Sequence, residues 1–121
     1  MQNCLIVGAG GALGTICRYL IGLLAVQPES GFPVKTLFIN VLGAFVIGLV
    51  TALAVKNSAL DPRLVLLLKV GVCGGFTTFS TFAYETSELL QTGRGAAALA
   101  YVLLSVTLGV IAVFAAQLLV R

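Results

Sequence analysis

The sequence predicts an all-α integral membrane protein with four transmembrane helices, and three observations support this fold class. The 121 residues are 60% hydrophobic and only 9% charged, whereas a soluble domain carries about 25% charged residues. The apolar residues form four stretches that are long enough to cross a bilayer, separated by short polar links. The third stretch has glycines and hydroxyl residues in its middle, which predicts that this helix is broken near its middle.

Each predicted helix is bounded by charged or turn-forming residues. The four helices are predicted near residues 4–26, 36–55, 62–90 and 96–120. The first is interrupted only by Arg18, and the third begins at Asp61-Pro62, a pair typical of an N-cap followed by proline at the first helical position. Because the links are short, the whole chain, 1–121, is predicted to be a single four-helix transmembrane domain.

The distribution of Lys and Arg gives only a weak preference for one orientation. Four crossings put both termini on one side of the membrane. That side holds Lys56, Arg63, Lys69 and Arg121, and the other side holds Lys35 and Arg94, plus Arg18 if its side chain leans that way. Orientation follows the Lys/Arg excess in short loops, and this excess is small. The near balance, in a chain too small to enclose a pore alone, suggests insertion in both orientations and pairing as an antiparallel dimer.

The composition argues against several classes of function. The net charge of +3 is spread along the chain without a basic cluster, so nucleic-acid binding has no support. The chain has no histidine and an odd set of three cysteines within apolar segments, which argues against a zinc site or a disulfide framework. An enzyme is also not expected, because no nucleophile–base pair or metal cluster is present.

The segment 71–82 in the third helix is the most informative feature of the chain. Its glycines, Gly71, Gly74 and Gly75, loosen a helix, because each costs about 1 kcal/mol relative to alanine. Four hydroxyl side chains follow, and they can bond the backbone groups that a broken helix sets free: Thr77, Thr78, Ser80 and Thr81. Such a break is tolerated only inside protein or beside a wet cavity, so the segment predicts an ion site. Its freed carbonyl oxygens suit hard cations.

Uncharged donors elsewhere in the apolar segments suggest an anion. Asn40 in the second helix offers an amide, although a plain interhelical hydrogen bond is an alternative. Phe79 and Phe82 share a helix face, and their ring edges carry positive partial charge, although apolar filler is the commoner role. Tyr101 and Ser105 add hydroxyls on one stripe of the fourth helix. A lysine or arginine in such a lining would hold a small anion too tightly to release it.

Three further features of the apolar segments are Arg18, Glu85 and several pairs of small residues. Arg18 either snorkels to the interface or fixes the first helix against backbone carbonyls, and we favour a structural role. Glu85 lies one turn past Thr81 and is placed to face a vestibule. Pairs of small residues four apart predict close helix packing: Gly10 and Gly14, Ala44 and Gly48, Gly71 and Gly75, and Ser105 and Gly109.

Taken together, these residues resemble the Fluc (CrcB-type) fluoride channel family, and the resemblance covers essentially the whole chain. The signals are Gly10-Gly-Ala-Leu-Gly-Thr-Ile-Cys-Arg-Tyr19, Thr36-Leu-Phe-Ile-Asn40 and the segment 71–82. The last of these is highly specific. The resemblance implies a multi-pass protein of the cell membrane that passively exports cytoplasmic fluoride and thereby gives fluoride resistance.

The resemblance also implies an assembly and a set of site residues. The family forms antiparallel, dual-topology homodimers with two fluoride pathways, in which Asn40 would donate to fluoride and Phe79 and Phe82 would form an aromatic box. A structural sodium ion, required but not transported, would be held by the backbone carbonyls of Gly74 and Thr77 from both subunits. Further residues match positions in or beside the polar tracks: Thr36, Thr78, Ser80, Thr81, Glu85, Tyr101 and Ser105.

The chain departs from the family pattern at two positions. Lys35 stands where the family often has glycine, which suggests extra positive charge at one mouth, and Gly109 stands where a serine commonly continues the stripe of the fourth helix. A pair of non-identical subunits, each fixed in one orientation, remains an alternative to the homodimer.

Two other functions compete with the channel. A small multidrug-resistance-type transporter also has four helices, but it needs a carboxylate in the first helix. That helix holds Arg18 and no acid, and the chain has no tryptophan to bind organic cations. A non-transporting membrane adaptor would explain the small-residue pairs, but it gives Asn40 and the broken helix no purpose.

Overall fold

The computed structural model describes all residues, 1–121, and every regular element is helical. The elements are α1 (Gln2–Gly22), α2 (Val34–Lys56), α3 (Pro62–Leu66), a π-helical segment (Leu67–Val72), α4 (Cys73–Phe76), α5 (Phe79–Gln91) and α6 (Gly95–Val120). Four stretches are long and apolar enough to cross a membrane: α1, α2, the third span Pro62–Gln91, and α6. The prediction of an all-α protein with four such helices is confirmed.

The first helix ends at Gly22, four residues before the predicted end at residue 26. The Gly22 carbonyl would accept a helical hydrogen bond from the amide of Val26, but it accepts one from Lys35 Nζ instead, at 2.8 Å. Lys35 lies 13 residues further along the chain. A contact of this kind cannot be seen in the local pattern of the sequence, which is why the predicted boundary was too late.

The third span is interrupted after the glycines, at Thr77 and Thr78. Asp61 caps its start as predicted, because its carboxylate accepts the Arg63 amide at 2.8 Å and Pro62 is the first helical residue. Thr77 (φ −78°, ψ 155°) and Thr78 (φ −148°, ψ 110°) are both extended. Thr77 is the C-cap of α4 and Thr78 is the N-cap of α5, so one helix ends and the next begins at adjacent residues.

The glycines before the break allow α1 to approach the third span. α1 packs chiefly on the π-helical segment and α4. A β-carbon at Gly10 would lie 2.6 Å from the Leu67 carbonyl oxygen, and one at Gly14 would lie 2.7 Å from the Phe76 nitrogen. Only glycine permits this separation of the two backbones. The small-residue pairs in α1 and in the third span are thus packing surfaces.

The second major contact joins α2 to α6, with α5 packed on the other end of α6. Gly48 allows this approach, since a β-carbon there would lie 2.9 Å from the Val113 carbonyl oxygen. The predicted pair of Ser105 and Gly109 behaves differently, because nothing lies within 4 Å of a β-carbon at Gly109. That pair forms no close helix contact within one chain.

Several cations lie at the two ends of the helices, as four crossings require, whereas Arg18 and Lys69 lie along the spans. At one end, Arg63 Nη2 donates to Gln2 Oε1 at 3.2 Å, and Lys56 donates to the last turn of α6. At the opposite end, Lys35 and Arg94 both contact the link between α1 and α2.

Only 14 of the 121 residues are buried, so most large apolar side chains face outward, as a bilayer permits and water does not.

Candidate functional site

Asn40 pairs with the backbone of the break through two hydrogen bonds. Its Oδ1 accepts the Thr78 amide at 2.8 Å, and its Nδ2 donates to the Thr78 carbonyl at 3.1 Å. In an unbroken helix these two backbone groups would bond within the third span. The side chain of α2 therefore replaces the helical partners of Thr78. This is an interhelical hydrogen bond, and it leaves one of the two amide N–H groups of Asn40 for another acceptor.

Hydroxyl groups gather at the start of α5. Thr78 Oγ1 accepts the Thr81 amide at 3.2 Å, donates to Thr81 Oγ1 at 2.9 Å and lies 3.4 Å from Ser80 Oγ. Thr78 is buried, Thr81 is half-buried and Ser80 is exposed. An N-cap threonine normally satisfies one free amide of a helix, so this cap stabilises the point at which α5 restarts.

The break also frees carbonyl oxygens. The Thr77 carbonyl accepts no hydrogen bond within the chain. The Gly74 carbonyl has lost its helical donor, the Thr78 amide, to Asn40. Gly74 is exposed, with no atom within 4 Å of the position that a β-carbon would take. Carbonyl oxygens without donors are the ligands that hard cations prefer, so Gly74 and Thr77 fit a sodium ion chemically.

Arg18 lies on the opposite side of the break. Its Nε donates to the Gly75 carbonyl at 3.2 Å, and Thr15 Oγ1 lies 3.4 Å from the same oxygen. The guanidinium therefore ties α1 to a backbone carbonyl next to the break, and it also lines a cavity at the Lys35 end of the protein.

Glu85 is the carboxylate closest to the break, and two hydroxyls hold it. Its Oε1 accepts Thr36 Oγ1 at 2.8 Å, and its Oε2 accepts the Tyr101 hydroxyl at 2.7 Å. Thr36 is 6% exposed and Tyr101 is fully buried. Hydrogen bonds to a carboxylate are stronger than neutral ones, so this network joins α2, α5 and α6 firmly. Glu85 also lines the cavity of about 390 Å³ that opens at this end.

Four aromatic rings form a continuous row beside the break. The ring centroids of Phe79 and Phe82 lie 5.7 Å apart, and those of Phe82 and Tyr101 lie 5.0 Å apart. Phe32, from the link between α1 and α2, meets Tyr101 edge-on at 5.5 Å. These separations lie in the range of favourable aromatic contacts. The sequence predicted Phe79 and Phe82, but nothing in it indicated that Phe32 would join them.

A groove of about 580 Å³ runs along the face of the break that α1 does not cover, which we call the outer face. Its wall includes Asn40, Thr78, Phe79, Phe82 and Ser105, and none of its residues is acidic. The Ser105 hydroxyl is buried and has no hydrogen-bond partner. A buried polar group without a partner costs about 1–3 kcal/mol, so this hydroxyl marks a place where a ligand or another chain would be stabilising.

The groove is not free of charge, which corrects one expectation. Lys69, in the π-helical segment, forms part of its wall, although the sequence had suggested a lining without lysine or arginine. The sequence analysis had instead assigned Lys69 to the side of the membrane that holds both termini. The π-helical segment that contains Lys69 departs from α-helical hydrogen bonding, and such departures often occur at functional sites.

The predicted residues line two openings that share Thr78 as a wall residue. The groove holds Asn40, Phe79, Phe82 and Ser105, and the cavity holds Thr36, Thr81 and Glu85. Thr78 lines both openings. Tyr101 lies behind them in the buried cluster, and Ser80 lines neither opening.

The fold and the site define a small multi-pass membrane protein whose broken third span exposes polar groups to a groove and a cavity. Comparison with known proteins identifies its family. A family model described as "CrcB-like protein, Camphor Resistance (CrcB)" matches residues 5–117, and the chain belongs to this family.

Curated relatives match along the whole chain. The fluoride-specific ion channel FluC of Chlorobaculum tepidum is 44% identical over 121 residues, covering 100% of this chain and 96% of that protein. The proteins of the same name from Rhizobium meliloti and Thermus thermophilus are 43% and 48% identical, covering 100% and 94% of this chain and 98% and 91% of those proteins. The resemblance inferred from the sequence is confirmed. The relatives are named as ion channels, which agrees with the prediction that the chain is not an enzyme.

Asn40→Ala should destabilise the break, because the Thr78 amide and carbonyl both lose their partner. Leaving buried backbone groups unpaired costs about 1–3 kcal/mol each. We expect faster hydrogen exchange in the peptide that covers residues 73–82, measured by mass spectrometry in detergent. Asn3→Ala is the matched control, because Asn3 is exposed and makes no side-chain hydrogen bond. Equal exchange in the Asn40 variant and the control would show that the pairing is not what holds the break.

Proposed function

We propose that the chain is a fluoride-selective channel of the cell membrane, through which cytoplasmic fluoride leaves passively. The observation that carries the proposal is the groove beside the break. Asn40, Phe79, Phe82 and Ser105 line it, the Ser105 hydroxyl has no partner, and the wall contains one lysine, Lys69, and no acidic side chain. The names of the relatives support fluoride as the ion.

Uncharged donors are well suited to the smallest halide. Moving a bare ion into apolar surroundings costs on the order of tens of kcal/mol, so several donors must replace its water shell. Conduction also requires that the ion leave again, which neutral donors permit better than a cation in direct contact. In this proposal, Asn40 and Ser105 donate to fluoride, and Phe79 and Phe82 turn ring edges toward it.

The position of Thr78 suggests how the two openings are connected. Thr78 is the residue shared by the groove and the cavity, so we propose that fluoride passes beside it. The hydroxyls of Ser80 and Thr81 lie next to Thr78, and those of Thr36 and Tyr101 lie at Glu85. They would provide donors in or beside the path toward the cavity.

The direction of net flow follows from the chemistry of the substrate. Hydrogen fluoride is a weak acid that crosses membranes uncharged and dissociates in a less acidic cytoplasm. The trapped anion then exceeds its equilibrium concentration, and a passive channel lets it leave without an energy source. Lower cytoplasmic fluoride would give the cell fluoride resistance.

We propose that the working unit is an antiparallel homodimer. The groove lies open on one face of a single chain, and Phe79, which lines it, is 80% exposed. A channel must enclose its ion, so a second copy would have to cover this face. The near balance of cations between the two ends supports insertion in both orientations.

Two reporter fusions at Arg121, one active only in the cytoplasm and one only outside it, should both give signal if the chain inserts in both orientations. A signal from a single side would instead favour two non-identical subunits, each with a fixed orientation. Arg121→Glu should shift the ratio of the two signals, because it weakens the cation excess at that end.

We also propose a structural sodium ion at the break, held by the carbonyls of Gly74 and Thr77. One chain offers two such oxygens, whereas hard cations take about six or more oxygen ligands. Two antiparallel copies would supply four, with water or further groups completing the set. A bound cation would offset part of the negative charge of fluoride nearby.

Replacing sodium by N-methylglucamine on both sides of the membrane should reduce fluoride flux to the level of protein-free liposomes. The organic cation is too large for a site made of backbone carbonyls. Restoring sodium should restore the flux, whereas a sodium gradient should not drive fluoride, since the ion is not transported. Undiminished flux after exhaustive exchange would remove the sodium from the proposal.

The channel itself is tested by reconstitution in liposomes with a fluoride electrode and a chloride electrode. We expect rapid fluoride efflux without chloride efflux, and slower fluoride efflux in Phe82→Ile and Phe79→Ile, by about two- to tenfold, because each removes ring-edge contacts. Phe114→Ile is the control, since Phe114 is 61% exposed on α6 and lines neither opening. Equal passage of chloride, or passage of neither ion, would refute the proposed function.

A further inference from the structure

The link between α1 and α2, residues 23–33, is fastened to the rest of the protein at two points. At the first, Lys35 Nζ donates to the carbonyls of Gly22 and Leu24, at 2.8 and 3.4 Å. Gly22 is the last residue of α1 and Leu24 lies in the link just beyond it, and a cation is stabilising beside the free carbonyls at a helix C-terminus. Lys35 also lines the cavity at this end, where extra positive charge was expected, and its ammonium group stabilises the end of α1.

The second fastening point is Arg94, at the start of α6. Its Nη1 donates to the Ser30 carbonyl at 2.8 Å, and its Nε donates to Thr92 Oγ1 at 3.1 Å. Gly31 has a φ of +66°, and a β-carbon there would lie 2.6 Å from Arg94 Nη1. Glycine thus allows both the turn and the contact of the guanidinium with the link.

Phe32 lies between these two fastening points and points into the protein. Its ring meets the ring of Tyr101 edge-on, with the centroids 5.5 Å apart and the planes at 77°. It packs on the buried cluster of Leu89, Ala98 and Tyr101. The link therefore places one aromatic side chain against Tyr101, the largest fully buried side chain of the molecule.

Tyr101 connects Phe32 to the candidate pathway on two sides. Its ring lies 5.0 Å from that of Phe82, and its hydroxyl donates to Glu85 at 2.7 Å. The neighbouring protein is close-packed, so a ring removed from one side of Tyr101 leaves space into which Tyr101 can turn. Any such turn changes both the support of Phe82 and the hydrogen bond to Glu85.

We propose that Phe32 is a positioning residue of the ion pathway, which Lys35 and Arg94 hold against Tyr101 so that Phe82 and Glu85 keep their places. The inference rests on the proposed fluoride channel for its functional meaning. Its geometry concerns only contacts within one chain. Lys35 and Arg94 act in it through hydrogen bonds to the link, not as charges that attract anions.

The first test compares fluoride efflux from liposomes for Phe32→Ala, Phe32→Leu and Phe32→Tyr. We expect Phe32→Ala to slow efflux by about two- to tenfold, the factor that loss of an ordinary aromatic pair gives. Phe32→Leu should be intermediate, and Phe32→Tyr should stay close to the parent protein because it keeps the ring. Phe38→Ala is the control, since Phe38 is 55% exposed and outside the ring row.

A double-mutant cycle separates positioning from a general loss of structure. If Phe32 acts through Tyr101 on Phe82, combining Phe32→Ala with Phe82→Ile should slow efflux by less than the product of the two single effects. Phe32→Ala combined with Phe114→Ile should give the product. Multiplicative effects in both pairs, or an unchanged rate in Phe32→Ala, would overturn the inference.

The fastening points are tested with Lys35→Met and Arg94→Met, with Lys56→Met at the other end of the protein as control. Each should slow efflux, and neither should slow it further in the Phe32→Ala background. The effect should persist at high ionic strength, because a hydrogen-bonded contact is screened far less than a charge at the mouth. An effect that disappears at high salt would show that these cations attract anions, and it would overturn their role as fastenings.

A structural measurement keeps the inference separate from the proposed function. With Tyr19 and Tyr84 replaced by phenylalanine, fluorotyrosine incorporated at Tyr101 gives a single ¹⁹F NMR signal. Phe32→Ala, Lys35→Met and Arg94→Met should shift or broaden this signal, and Phe38→Ala should not. A shifted signal in a protein that passes no fluoride would refute the channel and support the positioning of Tyr101 by Phe32. Normal fluoride flux with an unmoved signal would refute the positioning role of Phe32 alone.

Discussion

The structure depends on two hydrogen bonds between the side-chain amide of Asn40 and the backbone of Thr78, which replace the helical hydrogen bonds of Thr78. A broken helix inside a bilayer needs a partner for every backbone group that leaves the helix, because water is not available there. Asn40 provides both partners at once, from the neighbouring helix. This pairing holds α2 against the break, lets Thr78 begin α5, and so determines where Phe79 and Phe82 stand. It also takes the Thr78 amide away from the Gly74 carbonyl. That carbonyl is therefore left without its helical donor on the outer face of the break.

Some polar groups around the break have hydrogen-bond partners within the chain, and others have none. Glu85 is fully engaged by Thr36 and Tyr101, and the Thr78 hydroxyl is engaged in the cap of α5. The Ser105 hydroxyl and the Thr77 carbonyl have no partner, and Asn40 keeps one free N–H. Because unpaired buried groups are costly, a fold that keeps them has a use for them. On the proposed function, the free donors serve the anion and the free carbonyls serve the cation.

The sequence predicted what depends on local pattern and missed what depends on contacts between distant residues. Charges, Asp61-Pro62 and the uncharged lengths were enough to predict four helices and the start of the third. The glycines correctly indicated the region of the break, but the interruption lies at Thr77 and Thr78, and two of the glycines, Gly71 and Gly75, instead allow the close approach of α1. Asn40 could be selected as an unusual polar residue, whereas its pairing with Thr78 spans 38 residues and needed the fold. Phe32 and Lys69 carried no signal, because an aromatic residue in a link and a lysine near a helix end are both ordinary.

The inner face of the break is closely packed by α1, whereas the outer face is open. This difference constrains any mechanism. On the inner face, α1 approaches so closely that only glycines fit, and Arg18 and Thr15 contact the Gly75 carbonyl. On the outer face, one residue earlier, Gly74 is exposed and its surroundings are open. The close packing of α1 and the pairing of Asn40 with Thr78 hold the break within one chain, whereas Gly74 on the outer face stays exposed. A second copy that covered the outer face would therefore meet a surface already shaped for it, and the ordering cost of association would be small because the groove does not have to form on contact.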